Sequence, residues 1–108
     1  VSSSAAGVSG ESYGFAFDAE RGVITLTGAL HGRAARQLHD DLDAHVTAAR
    51  SDTWVDLSSV TSLPSEAIGV LVRAQTTAGA HGGVLRLRSA RGTIARRVLE
   101  ICRLQVVD

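Results

Sequence analysis

At 108 residues, 44% of them hydrophobic and 20% charged, the chain has the size of one folded domain that buries about 65% of its unfolded surface without needing a covalent or metal staple. A single cysteine, Cys102, rules out an internal disulfide, and no apolar run is long enough to span a membrane, so with no signal peptide expected the sequence reads as cytoplasmic. Eleven basic residues, all arginine, balance eleven acids, which leaves no net charge to steer the chain toward nucleic acid.

The opening Val1 to Ser12 is mostly serine, glycine and alanine with little to bury, and is expected to form a disordered tail ahead of a single domain at 13–108. Alternation from Tyr13 to Asp18 and again from Val23 to Thr27, across Glu20-Arg21-Gly22, predicts a hairpin. Ala34, Leu38, Leu42, Val46 and Ala49 then recur at helical spacing, with Arg36, Asp40, Asp41 and Asp43 on the other faces. Trp54 to Leu57 predicts a short strand, and Ser58, Ser59, Thr61 and Ser62 a polar connection. Ile68, Leu71, Val72 and Gln75 mark a helix opening on Ser65 and ended by Gly79, Gly82 and Gly83. Val84 to Arg88 is a further strand; Ile94, Val98, Ile101 and Cys102 form the expected buried stripe of a last helix; and Leu104 to Val107 can return as an edge strand.

Strands alternating with helices require right-handed crossovers and a largely parallel sheet, to which the hairpin adds an antiparallel edge. The predicted fold is α/β: a mixed sheet of four to five strands with helices mainly on one face. This order, together with the run Ile24-Thr25-Leu26-Thr27-Gly28-Ala29-Leu30 and its Gly-x-Leu turn, the strand Val55-Asp56-Leu57-Ser58, and last the loop Pro64-Ser65-Glu66-Ala67-Ile68, resembles the STAS domains of bacterial anti-sigma factor antagonists. The last stands where the family carries roughly Asp-Ser-Ser/Thr-Gly-Leu, so the acceptor serine matches while Pro64 and Glu66 depart. His31 occupies the position after Gly-x-Leu that is often aspartate in the family.

The resemblance implies that Ser65 is a phosphorylation site and that an anti-sigma factor acting as a serine kinase docks on Asp56, Ser62, Pro64, Ser65, Glu66, Gly69 and Arg73, with a phosphatase reversing the mark. A phosphate there would add about −1.5 to −2 charges at the positive end of a helix dipole. The plainer reading is that Ser65 only caps the helix, and Glu66 could imitate a permanently marked loop. Asp56 could instead hold the loop by accepting backbone protons.

Elsewhere the ordinary readings prevail. His31, His39, His45 and His81 lack the spacing that puts two imidazoles on one helical face, so no metal or other cofactor is expected, and His39 with Asp43 reads as a surface pair. Arg86, Arg88, Arg91, Arg96, Arg97 and Arg103 read as a solvated face, since no aromatic residues interleave them to stack bases. Cys102 reads as core, with no histidine near it in sequence. No nucleophile, base and orienter can be assembled, so the chain is not expected to be an enzyme. The leading expectation is a regulatory protein-binding module. The alternatives are an unphosphorylated STAS subunit of a stress-signalling scaffold or lipid-transport complex, and a small-ligand or nucleotide sensor.

Overall fold

The computed structural model describes residues 12–48 and 52–108. Their order is β1 (Gly14–Asp18), β2 (Val23–Ala29), α1 (Gly32–Ala48), β3 (Thr53–Ser62), α2 (Ser65–Ala80), β4 (Leu85–Arg88), α3 (Ile94–Ile101) and β5 (Val106–Val107). The sheet runs β1-β2-β3-β4-β5, with β1 antiparallel to β2 and every other neighbour pair parallel. This is the predicted α/β architecture. The tail expected at residues 1–12 falls, except for Ser12, outside the described residues, as does Ala49.

Register decides which side chains share a face. Phe15 and Phe17 stand opposite Leu26 and Ile24, Ile24 opposite Val55, and Val55 opposite Leu87. This parity points toward the helices, and Ile24, Leu26, Val55, Leu57, Leu85 and Leu87 form one core with Leu38 and Leu42 of α1, Val70 and Leu71 of α2, and Leu99 of α3. The opposite parity carries Trp54, with the Arg86 guanidinium 5.7 Å from its ring centroid.

Gly28 is indispensable to the join between β2 and the chain entering β1. Its φ is +91°, and a Cβ there would lie 2.0 Å from the Ser12 carbonyl oxygen and 2.9 Å from the Tyr13 nitrogen, so only glycine lets the two backbones approach. Tyr13 packs against the core and donates its hydroxyl to Asp41 of α1 at 2.7 Å. Burial, with the bonded carboxylate second, holds that phenol well above its ordinary pKa.

Four details differ from the sequence reading. β3 extends to Ser62, so Ser58, Ser59, Thr61 and Ser62 belong to the strand and not to a connection. Residues Ser59, Val60 and Ser62 pair with β2 alone, because β4 reaches only as far as Asp56, and polar residues are tolerated on a half-open strand. In α2 the buried positions are Ala67, Val70, Leu71, Ala74 and Ala78, while Val72 faces outward. In α3 the buried residues are Ala95 and Leu99, leaving Ile94 58% and Ile101 71% exposed and Cys102 exposed. His39 pairs with Asp40 at 3.2 Å, not with Asp43.

Three of the six arginines in the last third have carboxylate partners among the described residues. Arg86 meets Asp52 at 3.7 Å, Arg91 meets Asp108 at 3.1 Å, and Arg96 meets both Glu100, at 2.9 Å, and Asp108. The hydrogen bond from Arg96 holds the Asp108 carboxyl below its usual range.

Candidate functional site

Helix α2 starts where Leu63-Pro64 leaves β3. Pro64 is the N-cap residue, with φ −75° and ψ 167°, and it makes no side-chain cap hydrogen bond. Its fixed φ and missing amide proton suit that position, and its carbonyl accepts from the Ala67 and Ile68 amides at 3.0 and 3.1 Å. Ser65 is therefore the first helical residue rather than the cap. Its side chain is exposed, and the hydroxyl has no hydrogen-bond partner among the described residues. It stands at the positive end of a 16-residue helix.

Glu66 is turned elsewhere. Its Oε2 accepts the amide proton of Gly32 at 2.7 Å, so the carboxylate of α2 satisfies the first amide of α1. Beside this bond, His31 Nε2 lies 2.8 Å from Ser62 Oγ, and the Leu30 amide donates to the Ser62 carbonyl at 3.0 Å. The starts of α1 and α2 are thereby tied together at the end of β3. The sequence reading saw Glu66 as a charge beside a phosphate and missed its partner, because Gly32 is 34 residues away.

Asp56 sits in mid-strand, six residues before the end of β3, which at the rise of a strand is roughly 15–20 Å from the serine turn. The sheet register shifts between Thr25/Asp56 and Thr27/Ser59. At this bulge the Asp56 carboxylate accepts the Ser58 amide at 2.9 Å. Ser58 Oγ in turn accepts the Ala90 amide at 2.8 Å, pinning the turn before α3 to β3. Ser62, Pro64, Ser65 and Glu66 thus lie together, Gly69 and Arg73 follow on α2, and Asp56 stands apart as a support of the strand.

Gly69 and Arg73 act as a pair. A Cβ built on Gly69 would lie 4.0 Å from an Arg73 guanidinium nitrogen, which shows the arginine folded back along the helix toward its start. Between the first halves of α1 and α2 runs a groove of about 410 Å³, bordered by Gly32, Arg36, His39, Asp40, Glu66 and Arg73, with Ala35 and Val70 at its base. Among the described residues no cluster of three or more histidine, cysteine or acidic groups could hold a metal ion, and no helix is long and apolar enough to cross a membrane.

The family model described as "Mlab, STAS domain" matches residues 13–107. The chain belongs to the STAS domain family. Among solved structures, this STAS domain superposes on an anti-sigma factor antagonist from Mycobacterium paratuberculosis with a TM-score of 0.75 and 18% identity, over 92% of this chain and 88% of that one. A candidate anti-sigma factor antagonist from Thermotoga maritima gives a TM-score of 0.65 at 18% identity, over 89% and 86% of the two chains. The anti-sigma factor antagonist SpoIIAA in its unphosphorylated form gives 0.64 at 13% identity, over 90% and 88%. At these identities the likeness establishes a shared fold. No match is found among curated protein sequences.

Proposed function

We propose that this STAS domain is a regulatory docking module that binds an anti-sigma factor with serine kinase activity through the turn and helix starting at Ser65, and that phosphate on Ser65 switches the complex off. The observation that carries this reading is the exposed, unbonded hydroxyl on the first residue of α2. A phosphoryl group on that oxygen would meet free backbone amides without disturbing a cap or a core contact, so the fold survives while the surface changes in charge and bulk. A mismatch of about 3 kcal/mol at a docking surface weakens binding roughly a hundredfold. The module needs no chemistry of its own, since the partner supplies ATP and phosphoryl transfer. The fold shared with anti-sigma factor antagonists supports the reading.

The test is to mix the purified domain with each serine-kinase anti-sigma factor of the same genome, with and without ATP, and to measure complex formation and phosphate on Ser65. Ser65→Ala should bind without becoming modified, and Ser65→Asp should bind about a hundredfold more weakly. Wild-type affinity for both variants would move the switch elsewhere.

A second reading has its own observation. Pro64 removes the polar neighbour of the serine, and Glu66 is committed to Gly32, an arrangement that suits an unmodified STAS subunit of a larger assembly. A stable complex in which Ser65 stays free of phosphate, whatever the ATP supply, would favour it.

A further inference from the structure

We propose that the groove between α1 and α2 is a receptor for an acidic side chain of the docking partner, gripped between Arg36 on one wall and Arg73 on the other. The acids bordering the groove are hydrogen-bonded on their own sides of it, Glu66 to the uncharged Gly32 amide at 2.7 Å and Asp40 to the His39 ring at 3.2 Å, and neither lies within 4.0 Å of Arg36 or Arg73. Among the described residues neither Arg36 nor Arg73 has a carboxylate within 4.0 Å, in contrast to Arg86, Arg91 and Arg96. The Arg73 guanidinium lies back over Gly69, where the absence of a side chain leaves it room at the border of the groove. The base between the two arginines is apolar, with Ala35 4% and Val70 5% exposed.

Paired cations over an apolar strip fit an aspartate or glutamate side chain whose stem covers Ala35 and Val70 and whose oxygens take guanidinium protons. Arginine is suited to this by its planar, two-pronged geometry. The reading given above supplies only the identity of the partner that carries the carboxylate; the groove itself is argued from its own charges. It extends the docking surface from α2 onto α1 and adds Arg36, which the sequence does not single out.

The test uses nitrogen-15-labelled protein and a blocked tetraglutamate peptide, with blocked tetralysine as control, at constant physiological ionic strength. The arginine Nε–H signals of Arg36 and Arg73 should shift saturably with tetraglutamate and not with tetralysine. Arg36→Gln and Arg73→Gln should each weaken the interaction about five- to tenfold, as loss of one charge-assisted contact implies. Arg97→Gln and Arg103→Gln, at exposed arginines outside the groove, should leave it unchanged. Equal shifts at Arg97 and Arg103, or no saturation, would overturn the assignment. If an anti-sigma factor kinase binds in a Ser65-dependent way but binds Arg36→Gln as it binds wild type, the groove fails and the docking module stands. If no kinase binds while tetraglutamate still docks at Arg36 and Arg73, the opposite holds.

Discussion

Glu66→Ala is the sharpest probe of how the two helix starts are joined. The substitution removes the 2.7 Å bond to the Gly32 amide and leaves the first amide of α1 to water. Loss of a capping acceptor typically costs about 1 kcal/mol. Glu66 is also the acidic residue in the first turn of α2, a position worth a further 0.3–0.5 kcal/mol or so at an exposed, salt-screened site. The sum, about 1–1.5 kcal/mol, lowers the melting temperature of a domain this size by roughly 5–8 °C. Glu66→Gln keeps an acceptor but not the charge, and should lose about half as much. Urea denaturation with an unchanged m-value gives the energy, and hydrogen exchange at the Gly32 amide gives its location. A Glu66→Ala variant with wild-type stability and unaltered Gly32 exchange would refute the cross-helix cap, and would return Glu66 to the role of a charge standing beside Ser65.

Two further outcomes follow from the geometry. Gly28→Ala must shift the chain at Ser12–Tyr13, since its new carbon would lie 2.0 Å from a backbone oxygen at φ +91°; the expected loss is about 3 kcal/mol or more, and a thermal melt within 2 °C of wild type would contradict it. His45 contacts the Phe17 ring edge-on at a centroid distance of 4.4 Å, and burial lowers its pKa from 6.5. The unfolded chain therefore takes up this proton at a higher pH than the folded one does, so stability falls as pH drops through about 6.5 and levels off below the folded value. Denaturation at pH 7.5 and 5.5 should show a smaller acid loss in His45→Gln than in wild type, the other histidines being common to both.

The hairpin, the stripe of Leu38, Leu42 and Val46 on α1 and the alternation of Leu85 and Leu87 in β4 were all legible in the sequence, because each is a local periodicity that only one packing direction can satisfy. The start of α2 was legible too, from the Pro64-Ser65 step at the end of a strand. The last helix was not. Ile94, Val98 and Ile101 offer one apolar stripe and Ala95 with Leu99 another, and an eight-residue helix is too short for periodicity to choose between them. The packing of α3 against the sheet chose Ala95 and Leu99 with Val98 half-buried beside them, leaving Ile94, Ile101 and Cys102 outside. β3 likewise gained its polar second half only through pairing with β2, a non-local contact that its serines and threonines did not announce. The same holds at the site. Sequence placed a hydroxyl at a helix start, but the Glu66 to Gly32 bond and the groove bordered by both Arg36 and Arg73 join residues 34 and 37 positions apart, and only the crossover that lays α1 beside α2 brings them together.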